Sequence, residues 1–174
     1  NIQLLEVGLG GRLDAVNIVT PDVSLISSIG IDHIGFLGNT REAIGREKAG
    51  IFRSKTPAII GDPNPPHSLL LSAADKDANV FCINQDYGYR KESTTWDWFA
   101  GDQQIKQIPE PGLKGEHQYR NASAAILAVQ MLAKKLPISN NSIKNGLKNS
   151  HLLGRFQLIN DKIPILLDVG HNLE

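Results

Sequence analysis

The chain is short of several things, and each shortage removes a class of function. It has no excess of charge: 18 Lys and Arg balance 18 Asp and Glu across 174 residues. The electrostatic footprint that a nucleic-acid binder presents is therefore missing. The basic residues Arg41, Arg46, Lys48 and Arg53 are interleaved with Glu42 and Glu47. Cys82 is the single cysteine, so no internal disulfide can form, and the strand-like run Asn79–Ile83 places its thiol in the core. No stretch reaches the roughly 20 apolar residues of a membrane-spanning helix; the longest uncharged helical run is Asn121–Ala133. No G-x-x-x-x-G-K-[ST] string occurs, so a P-loop is not among these residues. Secretory signal, internal repeat and low-complexity tract are also missing. The expectation is a cytoplasmic protein with no nucleic-acid or membrane partner. The chain begins at Asn1 without a methionine and stops just after a strand-like run, which reads as part of a longer protein.

What is present centres on Glu6–Asn17, EVGLGGRLDAVN. The apolar run Leu4–Val7 closes on the carboxylate of Glu6, and Gly8, Gly10 and Gly11 follow within four residues. A strand that stops at an acid and opens into a glycine-rich turn is the usual edge of a ligand crevice in an α/β sheet. The spacing is not the dinucleotide fingerprint, since the third glycine of G-x-G-x-x-G falls on Leu13.

The length suits one domain of the usual ~100–200 residues. Ile2–Val7 and Asp22–Gly30 read as strands, and a helix follows, capped by Asn39 or Thr40 with Glu42 placed as in a capping box. Ile44, Lys48, Ile51 and Phe52 share one face of that helix. Thr56–Gly61 is a third strand, Asp62–Pro66 a loop, Ser68–Ala78 a helix and Asn79–Ile83 a fourth strand. This alternation argues for a parallel sheet with crossover helices. Tyr87–Ile108 changes to period two, with Gly101-Asp102 as a turn, and reads as antiparallel hairpins whose aromatics form a small core. A long helix from Gly115 to about Leu136, a short one over Ser139–Leu147, and strands at Phe156–Ile159 and Ile163–Val169 complete the pass.

Polar clusters follow three of the strands: Glu6, Asp32-His33, and Asp168 through Asn172. In a doubly wound sheet the carboxyl ends of the strands share one edge, where such groups can converge. Each also has a plain reading, as a strand-end cap or a loop histidine. Lys48 has two readings as well. Its stem can lie on the apolar surface with the ammonium in water, or its amine can be partly buried with a lowered pKa. A neutral amine of the second kind is a nucleophile, including toward carbon dioxide.

Six strings, in order, carry a resemblance: EVGLGGRLDAVNIV (Glu6–Val19), SSIGIDHIGFLG (Ser27–Gly38), REAIGREKAGIFR (Arg41–Arg53), GEHQYRNASAA (Gly115–Ala125), GRFQ (Gly154–Gln157) and LDVGHN (Leu167–Asn172). The chain resembles the folylpolyglutamate synthase / dihydrofolate synthase family of Mur-type ATP-dependent amide ligases. The resemblance implies an α/β fold: part of a P-loop-NTPase-like, mostly parallel sheet with flanking helices and a small antiparallel β region, followed by the opening strands of a Rossmann-like C-terminal domain. Residues 1–153 would be the C-terminal part of the central ATPase domain, without its P-loop segment, and 154–174 the start of the C-terminal domain.

The family's roles carry over residue by residue. Glu6 and His33 match magnesium ligands, and Lys48 matches the lysine whose carbamate holds a second Mg²⁺. Leu13, Asp14 and Ala15 match the part of the glycine turn that faces the pterin. Asn121, Arg155 and Asp168 match positions that contact ATP, and His171 lies in the hinge motif. Leu173 stands where the family usually has proline. The implied reaction is ATP-dependent addition of L-glutamate to dihydropteroate and/or folate through an acyl phosphate, by a parent enzyme that is a monomer; these residues alone would be inactive. The competing reading is a non-catalytic nucleotide- or Mg-binding α/β module.

Overall fold

The computed structural model describes residues 1–170. His171 and Asn172, which end the LDVGHN string, and Leu173 and Glu174 lie outside the described residues. The chain divides into two compact units, Asn1–Asp86 and Tyr87–Glu174.

In the first unit, β1 (Ser24–Ile26), β2 (Pro57–Ile60) and β3 (Asn79–Cys82) form a parallel sheet with β2 in the middle. Parallel neighbours need crossovers. These are supplied by α2 (Arg41–Lys48), entered through the short α1 (Ile34–Leu37) and continued by a single 3₁₀ turn over Ala49–Ile51, and by α3 (His67–Asp75). The central strand reads as a continuous apolar run because both its faces are covered: Ala58, Ile59 and Ile60 are all buried. Ile26, Ile29, Ile44, Phe52, Leu69 and Cys82 belong to one core cluster, so Cys82 is the core thiol its strand implied. The missing side chain of Gly45 lets α2 approach α3; a Cβ there would come within 2.9 Å of Pro66.

Two expectations fail in this unit. Ile2–Val7 is irregular, with Ile2 and Leu4 67% and 93% exposed. No described strand pairs with it, and an apolar run without a ladder partner has no reason to be a strand. Glu42 does not complete a capping box. Thr40 Oγ1 caps α2 through the amide of Ala43, whereas the Glu42 carboxylate accepts the amides of His67 (3.1 Å) and Ser68 (2.7 Å) at the start of α3. A carboxylate belongs at a helix N-terminus; here it serves the neighbouring helix.

In the second unit, β4 (Tyr87–Lys91), β5 (Thr95–Ala100) and β6 (Gln103–Pro109) form an antiparallel meander, turning at Gly101 with φ 54°. Trp96 and Trp98 are fully buried, and their ring N–H groups donate to the carbonyls of Pro109 and Ser123. At ~150–250 Å² each they contribute about 4–6 kcal/mol apiece before entropy is counted. Two apart on β5, they share one face by strand alternation; a bulge opposite them on β6 lets Ile105 and Ile108, three apart, both stay buried, with Asp97 accepting the amide of Gln107 at 2.7 Å. The aromatics are a core, as their period implied.

Helix α4 (His117–Met131) packs its Ala122, Ala124 and Ile126 inward. It ends at Met131 and runs on only as hydrogen-bonded turns, the Leu136 amide donating to the Leu132 carbonyl at 2.8 Å, before Pro137. Helix α5 (Asn140–Lys148) is capped by Ser139, and β7 (Gln157–Ile159) with β8 (Ile165–Leu167) makes a two-stranded antiparallel hairpin.

Candidate functional site

The glycine turn is held shut by one carboxylate. Asp14 accepts the amides of Gly8 (2.9 Å), Leu9 (3.0 Å) and Val16 (3.0 Å) and so caps the 3₁₀ turn Ala15–Ile18. These amides, Leu9 first, hold its carboxyl below the usual range. Gly10 takes φ 66°, which glycine adopts at little cost. Gly11 lies against α2, where a Cβ would stand 3.0 Å from the carbonyls of Glu47 and Lys48. The Arg12 amide donates to the carbonyl of Glu47 (2.9 Å), and its guanidinium pairs with the Glu47 carboxylate. The first motif is thereby docked on the end of the helix that carries Lys48.

That helix end is closed by cations. Lys76 Nζ donates to the carbonyls of Ala49 and Gly50, both at 3.0 Å, and Arg53 donates to those of Gly50, Phe52 and Asn17. Side-chain cations are favourable partners for the unsatisfied carbonyls of a helix C-terminus. Asn17 Nδ2 bridges the carbonyls of Arg12 and Gly50. Lys48 is half-buried just before this closure. Burial pulls its amine below the ordinary lysine range, and the Asp32 carboxylate opposes that shift.

Asp32 and His33 stand on the loop after β1. His33 adopts φ 51° and ψ 41°, a left-handed conformation uncommon outside glycine. Its amide donates to Asp32 Oδ1 at 2.7 Å, and Nε2 lies 3.6 Å from Asp32 Oδ2. The loop is tied down by Asp62, which is only 4% exposed. Asp62 Oδ2 accepts the amide of Ile29 (2.9 Å) and Arg41 Nη2 (2.7 Å), and Oδ1 accepts the amide of Asn64 (2.9 Å). Arg41 Nε donates to the carbonyl of Ile29 at 2.8 Å. Sequence reasoning missed both residues; the only sign was an acid directly after a strand, one more strand-end carboxylate.

The first unit therefore brings Lys48 within electrostatic reach of Asp32 and sets the turn bearing Asp14 against the helix of Lys48. Leu13 is 80% exposed, and Ala15 is exposed beside it. Glu6 is exposed on the irregular N-terminal segment, and no hydrogen bond or ion pair joins it to His33 or Lys48 among the described residues. Among those residues no three His, Cys, Asp or Glu side chains gather as a metal cage. Magnesium does not require one: it keeps several waters and takes one or two protein ligands plus substrate phosphates. Of the groups here the Asp32 carboxylate, beside the accessible His33, offers the oxygen that a hard cation favours, and the imidazole is the less usual donor for it.

In the second unit, Asp168 Oδ1 accepts the amide of Gly170 (2.6 Å) and Oδ2 that of Phe156 (2.8 Å). These bonds hold its carboxyl below the usual range, and Arg155 and His117 add to the effect by charge. The GEHQ, GRFQ and LDVG strings thus meet electrostatically around Asp168. Asn121 is exposed in the first turns of α4 and donates to Gln118 at 3.2 Å.

The family model described as the Mur ligase middle domain matches residues 2–129. The chain belongs to the Mur ligase family. Among its Mur ligase relatives is the dihydrofolate synthase/folylpolyglutamate synthase of Escherichia coli (strain K12), 39% identical over 172 residues that make up 99% of this chain and 39% of that protein. The solved structure of E. coli FolC in complex with DHPP and ADP aligns with TM-score 0.87 at 39% identity, covering 95% of this chain and 39% of that one. The bifunctional folylpolyglutamate synthase/dihydrofolate synthase of Yersinia pestis, complexed with AMPPNP and Mn ion, aligns with TM-score 0.85 at 40% identity, covering 95% of this chain and 39% of that one. The chain spans about two fifths of the length of the curated relatives it matches, 39% of the E. coli protein.

Proposed function

We propose that this chain is part of an ATP-dependent ligase that adds L-glutamate to dihydropteroate and/or folate through an acyl phosphate. The observation that carries the reading is 39% identity to the E. coli enzyme, continuous over 172 residues, in a chain whose glycine turn is docked on the helix of a desolvated lysine. In this reading residues 1–153 belong to a P-loop-NTPase-like central domain and 154–174 open a Rossmann-like C-terminal domain. The whole protein is then a cytoplasmic monomer that meets neither nucleic acid nor membrane.

The residues divide the work as follows. Lys48, its amine partly withdrawn from water, reacts in the neutral form with carbon dioxide, losing a proton and gaining an anionic oxygen pair in place of an ammonium. Glu6, His33 and the Lys48 carbamate would hold two Mg²⁺ ions, whose positive charge stabilises the phosphoryl group as it passes from ATP to the substrate carboxylate. Leu13, Asp14 and Ala15 face the pterin. Asp14 works through geometry, because its carboxylate is occupied by the turn's own amides. Asn121 serves the adenine side, and Arg155 and Asp168 approach ATP from the C-terminal domain. The glutamate amine then attacks the acyl phosphate and phosphate leaves.

The test is ADP release by the whole protein with Mg-ATP. Release that requires both glutamate and a pterin establishes the ligase, and the preferred pterin, dihydropteroate or a reduced folate, names the acceptor. A folded, metal-replete protein that releases no ADP on adding both would instead be the non-catalytic nucleotide- and Mg-binding module.

A further inference from the structure

In the Asp62–Arg41 pair only the acid is buried, the Arg41 side chain being 38% exposed, and a buried carboxylate needs its partners to stay in place. Asp62 is 4% exposed, and its two oxygens accept three donors: the amides of Ile29 and Asn64 and Arg41 Nη2. Arg41 in turn donates Nε to the carbonyl of Ile29 and Nη2 to that of Asn64. Both polar groups of Ile29 are therefore held, one by each member of the pair. Four residues later comes His33, in its left-handed conformation. A non-glycine residue stays there only when its surroundings over-determine it. Arg41 is also the first residue of α2, the helix that ends at Lys48. One ion pair thus joins the carboxyl end of β2, the loop of Asp32 and His33, and the start of the lysine-bearing helix.

We propose that Asp62 and Arg41 are positioning residues, whose ion pair clamps Ile29 and thereby sets His33 relative to Lys48 for metal binding. This rests on the reading of His33 and Lys48 as metal ligands. Asp62 and Arg41 act through Ile29; removing either frees the loop and leaves the ligands present but misplaced. Partners of this indirect kind are worth about 10–100-fold in metal affinity.

The experiment is a Mn²⁺ titration of the whole protein saturated with AMPPNP, read by the EPR signal of free Mn²⁺, with circular dichroism to establish folding. Asp62→Asn keeps volume but turns one of the two acceptor oxygens into a donor, so the amides of Ile29 and Asn64 and Arg41 Nη2 can no longer all be accepted; Arg41→Met keeps the stem, and Arg41→Lys serves if it does not fold. The expected result is a Mn²⁺ dissociation constant raised about tenfold or more in each variant, with the double variant no worse than the worse single, because the two act as one unit. Folded variants that bind Mn²⁺ like the wild type overturn the proposal. His33→Ala and Lys48→Ala, run alongside, separate the two failures. If they too leave Mn²⁺ binding unchanged, the ligand reading fails and the pair's role falls with it. If they weaken binding while Asp62→Asn and Arg41→Met do not, only the positioning role is refuted.

Discussion

Replacing Gly50 by alanine should undo the docking of the glycine turn. A Cβ at Gly50 would stand on the Cα and Cβ of Arg12 and 2.5 Å from its amide nitrogen, where ordinary contact begins near 3.4 Å. These are mostly backbone atoms, which cannot rotate aside, so the turn must retreat from the end of α2. That strains the bond from the Arg12 amide to the Glu47 carbonyl (2.9 Å) and from Asn17 Nδ2 to the Gly50 carbonyl (3.3 Å). At about 0.5–1.5 kcal/mol for each of the two bonds and about 1–3 kcal/mol for the overlap, less about 0.4–1 kcal/mol gained by restricting the unfolded chain, the variant should lose about 1–6 kcal/mol. Trp96 and Trp98 both lie in the other unit, so fluorescence is the wrong probe. Urea unfolding followed by far-UV circular dichroism, with hydrogen exchange at the amides of Gly8, Leu9 and Arg12, reads the right region. The companion Gly146→Ala, inside α5 with nothing within 4 Å of the new Cβ, should instead stabilise by about 0.5–1 kcal/mol. A Gly50→Ala protein as stable as the wild type, with unchanged exchange at Arg12, would refute the argument that the turn is seated on that helix end.

Other outcomes follow from the same contacts. The carboxyls of Asp14 and Glu42 lie below their ordinary values of 3.8 and 4.5 when folded. The unfolded chain then binds protons first as pH falls, so their contribution is complete above those values and is lost as pH drops through the folded pKa; Asp14→Asn and Glu42→Gln should each flatten the acid limb of a stability–pH curve. Burial, with the nearby Asp86 carboxylate, pushes the Cys82 thiol up, so a thiol reagent at pH 8 should leave the native protein unlabelled and react only as urea opens the sheet; rapid native labelling would contradict the burial of β3. The Asp62 and Arg41 variants should weaken Mn²⁺ binding while the protein stays folded, as the EPR titration reads.

The parallel sheet was legible because its signals are local. The run Thr56–Gly61, the breaker Asp62–Pro66 and the apolar spacing of Leu69 and Ala73 each need only neighbours in sequence to be read. The apolar face shared by Ile44 and Lys48 was legible for the same reason, and it led to the Lys48 amine, which burial pulls below the ordinary lysine range. Ile2–Val7 carries an equally good strand pattern and is not a strand, because a pattern records what a segment can do and pairing depends on what lies beside it. Glu42 shows the same limit: its spacing from Asn39 was a real cue, but its carboxylate found a better helix terminus 25 residues away. The Arg41–Asp62 pair joins residues 21 apart through a fold no local window contains. Among the site residues, the strand-end acids and Lys48 stood out by type and place. Asp14 did so only as a glycine-turn polar group, and its three amide bonds appear only once the turn is closed.

Lys48 is where a place in the fold and a chemistry meet, and substitution there tests the link most directly. In the whole protein, Lys48→Ala should fold normally, abolish most glutamate- and pterin-dependent ADP release, and recover part of it when a short carboxylate such as formate or acetate is added to stand in for the lost carbamate. A Lys48→Ala protein that turns over at the wild-type rate would remove the lysine from the mechanism and return it to being a side chain whose stem covers apolar surface.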